Sequence, residues 1–154
     1  MKTIYYQAVI DDDVKYPLNK FKDLLQIYLA DPNGWESKGY KFIYKPEGDI
    51  IIHLSSQSTL RTNGCQDGTL SCAELGGKHM YLNEFRWKHG AHKSKLPLER
   101  YRQYVVSHEI GHILGHDHKT CPSPGAPAPV MMQQTQGIGK CLPNTDISYD
   151  RYDK

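Results

Sequence analysis

One run of the chain, His108-Glu109-Ile110-Gly111-His112-Ile113-Leu114-Gly115-His116-Asp117-His118, constrains its fold more than any other. Side chains four positions apart on an α-helix stack on one face, so His108 and His112 present two imidazoles to a single point. Glu109 stands one position past the first of them. There a carboxylate reaches beside a bound metal without ligating it and can act as the base for a water. A catalytic zinc keeps three protein ligands and one open position, so a third ligand is needed. His116 continues the four-residue step, but positions 108 and 116 lie about 12 Å apart along a helix axis. Two nitrogens on one tetrahedral zinc lie only about 3.3 Å apart. A chain that turns at Gly115 brings His118 back instead, because glycine enters the left-handed region freely. The spacing predicts a helix stopping at Gly115, a metal held by His108, His112 and His118, and His116 outside the ligand set.

The remaining sequence must build a scaffold for that helix. Pro97 suits a helix start, and Leu98, Tyr101, Val105, His108 and His112 follow a helical pattern from there. Far upstream, Thr3–Ile10 reads as a strand ended by Asp11–Asp13. Pro17 opens a first helix with an apolar stripe of Leu18, Phe21, Leu25 and Tyr28, and Asp31-Pro32-Asn33-Gly34 stops it. Tyr40–Tyr44 and Asp49–Ser55 read as strands, with Pro46-Glu47-Gly48 expected as a hairpin turn between them. Gln57–Lys78 is polar and reads as a surface loop, His79–Asn83 as a short strand bordering a cleft, and Glu84–Ser94 as a basic, irregular segment. Beyond Lys119 no period is sustained and Pro and Gly dominate. This order gives an α+β domain with two helices, strands mostly early, and an irregular C-terminal subdomain. A length of 154 residues fits one domain: residues 1–118 would form the sheet and active-site helix, and 119–154 the C-terminal subdomain.

Composition excludes several classes. Apolar residues make up 38% and charged residues 23%, a globular balance, and the net charge of +2 is too weak for a nucleic-acid footprint. No run approaches the roughly 20 apolar residues of a membrane span. The N-terminus MKTIYYQAVIDDD lacks an apolar signal-peptide core. The four cysteines, Cys65, Cys72, Cys121 and Cys141, make no C-x-x-C pair. Their local spacing suggests Cys65–Cys72 and Cys121–Cys141, one of three connectivities, the alternative being four buried thiols. Two disulfides imply an oxidising compartment, and hence a secreted or extracellular protein.

H-E-I-G-H-I-L-G-H-D-H fits H-E-x-x-H-x-x-G-x-x-H at every defined position, and on these residues the chain resembles the metzincin zinc metallopeptidases. It looks most like small secreted bacterial metzincin-like domains. That resemblance implies a small metzincin-like catalytic domain with a twisted mixed sheet, one zinc per chain and no other cofactor. It also implies a Met-turn, a tight turn beneath the metal. Pro129-Val130-Met131-Met132-Gln133-Gln134 resembles it, with Met131 the favoured turn residue and Met132 the other candidate. In some metzincins the residue two past the turn Met is a Tyr that stabilises the oxyanion. Here it is Gln133, so that role is not inherited, and Tyr149 and Tyr152 in the tail are the candidate substitutes.

The chemistry expected is peptide-bond hydrolysis by a water on zinc, with Glu109 as general base and then acid and zinc stabilising the oxyanion. The partner would be an extended peptide or protein held along the strand His79–Asn83 by strand addition. No nucleic acid, no membrane insertion and a monomer are expected. Two alternatives keep the metal: a catalytically weak or inert zinc-containing binding module, and a zinc hydrolase of a non-peptide amide. Glu109 argues against the first, since a pure zinc holder has no use for a carboxylate there. His53, His79, His89 and His92 need no metal, although His79 is placed to touch substrate. Arg86–Lys95 reads as a solvated loop and Trp87 as core or cleft wall. A cysteine or serine nucleophile is disfavoured, because the cysteines look paired and no G-x-S-x-G elbow exists.

Overall fold

The structure is a computed structural model and describes residues 1–150; Tyr152 lies outside them. Strand β1 (Lys2–Ile10) leads into α1 (Leu18–Leu29), a short 3-10 turn at Trp35–Lys38, and strands β2 (Tyr40–Tyr44) and β3 (Ile50–Ser55). Helix α2 (Gln57–Thr62), β4 (Cys72–Ala73), β5 (His79–Asn83), α3 (Glu84–His89) and the long α4 (Leu98–Ile113) follow. The C-terminal segment is irregular apart from a 3-10 turn at Gln134–Gln136. The class is α+β, with a mixed five-stranded sheet of order β2-β1-β3-β5-β4 in which only β4 runs antiparallel to its neighbour.

One face of the sheet makes the core. Ile4, Tyr6 and Ala8 of β1, Ile50, Ile52 and Leu54 of β3, and Met80 and Leu82 of β5 pack on Phe21, Leu25, Tyr28 and Leu29 of α1 and on α4. The period of two in the strands and the 3-4 step in α1 are the two patterns that bury one face of each element. Leu18, expected on the α1 stripe, is 43% exposed. Helix α4 is buried all round from Tyr101 to Ile113. Its polar residues are therefore internally bonded: Arg102 Nε donates to the Trp87 carbonyl at 2.7 Å, and Gln103 Nε2 to the Tyr28 carbonyl at 3.1 Å.

Three expectations are corrected. The segment Pro46-Glu47-Gly48 is not a hairpin turn. β2 pairs with residues 2–6 of β1, and β3 pairs in parallel with residues 6–10 on its other side. The chain therefore steps across β1 at Tyr6 and continues in the same direction. Gly48 makes the crossing, since a Cβ there would lie 2.5 Å from the Tyr6 carbonyl carbon. Second, 57–78 is not a plain loop, nor is 84–94 irregular: α2, β4 and α3 lie there. Ser56 and Asn83 cap the two helices, accepting from the Thr59 and Arg86 backbone amides. Among the described residues there are thus four α-helices and not two. Third, β5 does not border the cleft, because β4 pairs along its outer side and forms the sheet edge.

Candidate metal centre

Helix α4 carries His108 and His112 one turn apart, and the chain reverses just beyond it. Leu114 N donates to the Ile110 carbonyl, Gly115 N to that of His112 and His116 N to that of Gly111, all at 2.9 Å. Gly115 sits at φ +95°, the left-handed conformation that glycine adopts without a Cβ clash. The reversal returns His118 to the helix face. One ring nitrogen each of His108, His112 and His118 lies within 4.8 Å of the other two. His112 Nε2 and His118 Nε2 are 3.2 Å apart, close to the separation of two nitrogens on a tetrahedral zinc, about 3.3 Å.

Hydrogen bonding behind two of the rings fixes what they offer. His108 Nδ1 lies 2.7 Å from the Val130 carbonyl, and His112 Nδ1 lies 2.8 Å from the His116 carbonyl. A carbonyl oxygen only accepts, so in both rings Nδ1 carries the proton and Nε2 presents a lone pair. His108 Nε2 is buried with no hydrogen-bond partner among the described residues. Two lone pairs of fixed direction converge with the His118 ring, and the one on His108 Nε2 meets no donor in the interior, an arrangement that fits a cation with an affinity for imidazole. Burial also keeps the two helical rings neutral: desolvation lowers His108 to about 3 and pulls His112 below its ordinary value. A neutral imidazole is the form that ligates.

Glu109, on the same helix, is buried, and its Oε1 likewise has no partner among the described residues. Desolvation raises its carboxyl to about 8. A cation beside it would favour the ionised form again. The residue lines a cleft of about 550 Å³ together with His112 and His118. Opposite walls come from β4, the Cys65–Cys72 disulfide, Asp67, Leu70 and Leu75, and from Asp117, Gln133 and Gln136.

Beneath the helix runs 129–135. Met131 is fully buried and lies against Gly111: a Cβ on Gly111 would stand 2.2 Å from the Met131 Sδ. Met132 packs instead in a separate cluster with Cys121, Ala128, Ile138 and Cys141. Helix α4 holds this turn from above. Tyr104 Oη donates to the Met132 carbonyl and accepts from Gln134 N, both at 2.8 Å, and Tyr101 Oη lies 2.9 Å from Thr135 Oγ1. The second disulfide, Cys121–Cys141, closes the loop that contains the turn.

The other sequence candidates lie elsewhere. The His116 ring stacks flat on Trp35, 5.2 Å between centroids. His53 and His79 are bonded to each other on the sheet. Trp87 is core, His89 tilts against Phe85, and His92 is exposed. Tyr149 is 69% exposed and does not line the cleft. Sequence reasoning missed Tyr104, the Gly111 contact and the two carbonyls that orient the rings. Tyr104 lies one turn before His108, and that step of four is the signal that could have found it.

A family model described as "Protein of unknown function (DUF3152)" matches residues 2–148. No curated protein matches the chain. Among solved structures, archaemetzincin from Methanopyrus kandleri is similar at a TM-score of 0.54 and 17% identity, over 92% of this chain and 88% of that one. This is a likeness of fold. Archaemetzincin from Archaeoglobus fulgidus, complexed with malonate, gives 0.47 at 19% identity over 90% and 95% of the two chains. Myroilysin gives 0.45 at 14% identity over 76% of this chain, which spans about half of myroilysin's length, 49%.

Proposed function

The chain belongs to the family described as "Protein of unknown function (DUF3152)", and we propose that it is a secreted, zinc-dependent endopeptidase of the metzincin type. The observation that carries this reading is the convergence of three imidazoles beside a buried carboxylate that has an unpartnered oxygen. A structural zinc is closed by a fourth protein ligand, whereas three ligands, two of them lining a cleft, leave room for substrate. The fold shared with an archaemetzincin is consistent with it.

In this proposal His108, His112 and His118 hold one zinc per chain, which when bound supplies a Lewis acid that acidifies water and polarises a carbonyl. Glu109 accepts the proton of the attacking water and passes it to the leaving amine. Its burial excludes bulk water from that proton. The Val130 and His116 carbonyls hold two rings in the tautomer that ligates, and Met131 forms the floor of the turn below them. The substrate is an extended peptide or protein lying along the β4 edge, where Cys72 and Ala73 line the cleft. The chain would act as one catalytic unit over residues 1–154 and as a monomer, with neither nucleic acid nor membrane insertion involved. Two disulfides support an oxidising compartment. No helix among the described residues is long and apolar enough to cross a membrane.

The test is hydrolysis of a mixed peptide library by the zinc-loaded chain, with and without chelator. Cleavage should vanish with chelator and return with zinc. Glu109→Gln should keep its zinc and lose at least roughly 100-fold in turnover, the low end for general acid–base catalysis. Undiminished cleavage by Glu109→Gln would leave the carboxylate without the role given it.

A further inference from the structure

A second pair of imidazoles lies on the opposite face of the sheet, and we propose that it binds one divalent cation of the zinc, copper or nickel class. His53 of β3 and His79 of β5 belong to neighbouring strands whose register pairs His53 with Tyr81 and Ile51 with His79. Residues 50, 52, 54, 80 and 82 of these strands enter the core, so by the period of two 53 and 79 share the other face. None of the residues involved lines the cleft.

His53 Nδ1 lies 3.1 Å from Asp11 Oδ1, and Ser55 Oγ donates to Asp11 Oδ2 at 2.6 Å. A carboxylate only accepts, so His53 carries its proton on Nδ1 and presents a lone pair at Nε2. That Nε2 lies 3.0 Å from His79 Nδ1. One shared proton holds two nitrogens at this distance. So does one metal ion, whose tetrahedral ligands stand about 3.3 Å apart; the cation takes the place of the proton, and His79 changes tautomer to carry its proton on Nε2. The carboxylate behind His53 is the partner that fixes tautomer and raises basicity in metal-bound imidazoles. The side chains of His53 and Asp11 are 16% and 14% exposed. Water therefore reaches the site to complete the coordination, and two ligands bind more weakly than the three gathered at α4. Imidazole nitrogens favour zinc, copper and nickel over calcium and magnesium.

The experiment is equilibrium dialysis of the metal-free full chain against zinc, then against copper, counting bound metal by mass spectrometry. Wild type should bind one equivalent more than His79→Gln or His53→Ala, and Asp11→Asn should weaken that equivalent by about 10- to 100-fold. His79→Gln keeps an amide to bond His53, so its melting curve should match wild type in the absence of metal. His118→Ala should lose the other equivalent and keep this one. Equal stoichiometry in wild type and His79→Gln at saturating zinc and copper would overturn the proposal. Should His118→Ala lose nothing while His79→Gln loses one, the peptidase reading falls and the outer site stands.

Discussion

His116 and His118 are two residues apart, and only one of them turns back to the helix face. His118 offers a ring nitrogen to the cluster, while His116 contributes its backbone carbonyl to His112 and lays its ring on Trp35. His118→Ala should therefore lose zinc in equilibrium dialysis. His116→Ala keeps the carbonyl, so it should retain zinc and lose about 0.5–1.5 kcal/mol of stability with the ring contact. The reverse ranking would reassign the third ligand. Gly111 makes a sharper case. Alanine there gains up to about 1 kcal/mol in helix propensity. Its Cβ nevertheless needs space that the fully buried Met131 Sδ occupies, and overpacking costs about 1–3 kcal/mol. Gly111→Ala should be net destabilising in urea and should weaken zinc binding, because the displaced turn carries the Val130 carbonyl. The histidines gathered here were legible from a step of four and a glycine. The carbonyls that orient them were not, since a backbone oxygen leaves no mark on residue identity.

At the scale of elements, the link between β2 and β3 shows where sequence patterns run out. A Pro-Glu-Gly run between two short strands has the form of a hairpin turn, and nothing local distinguishes it from a chain crossing a third strand. The distinction lies in β1, forty residues away, whose two halves pair on opposite sides. The consequence is testable. In Gly48→Ala the added carbon meets Tyr6 backbone atoms at 2.5 and 2.7 Å, and backbone within a central strand yields far less than a side-chain tip. A loss at or above the upper end of the 1–3 kcal/mol overpacking range is expected in chemical denaturation. A wild-type midpoint would mean that the crossing is looser than described. Helices α2 and α3 were hidden for another reason. Six residues are too few to display a period, and only their caps, Ser56 and Asn83, announce them. The longer elements and the α+β class were legible because twelve- and sixteen-residue helices repeat their pattern often enough to be read. The Cys121–Cys141 bridge closes a span of 20 residues around the Met131 turn. Its loss should remove roughly 3 kcal/mol on chain-entropy grounds. Zinc affinity should fall in the Cys121→Ser, Cys141→Ser double variant before the sheet melts, as followed by dialysis and circular dichroism.

The whole molecule folds around a centre that buries ionisable atoms without partners among the described residues, and pH exposes the cost. Burial lowers His108 from 6.5 to about 3 and raises Glu109 from 4.5 to about 8 in the metal-free fold. Stability changes with pH wherever folded and unfolded chains bind different numbers of protons. Between about pH 6.5 and 3 the unfolded chain takes up a proton that folded His108 refuses, so stability falls as pH drops, and His112, lowered for the same reason, steepens the fall. Between about pH 4.5 and 8 folded Glu109 keeps a proton that the unfolded chain has released, so stability falls as pH rises. The His108 and Glu109 effects oppose each other from 4.5 to 6.5, and His112 tips the balance toward the neutral end. Metal-free protein should therefore melt highest near pH 6 to 7 and lose stability on both sides. On the proposed function, added zinc should reverse the alkaline limb, since a nearby cation favours ionised Glu109 and competes with protons for the imidazoles. Melting curves from pH 4 to 9, in chelator and in equimolar zinc, should diverge most above pH 6.5. Glu109→Gln, neutral at every pH, should abolish the alkaline decline of the metal-free form while leaving the acid limb in place. A metal-free wild type whose melting temperature stays level from pH 6.5 to 8 would show that Glu109 is ionised without a cation beside it, and the link between buried carboxylate and metal would be broken.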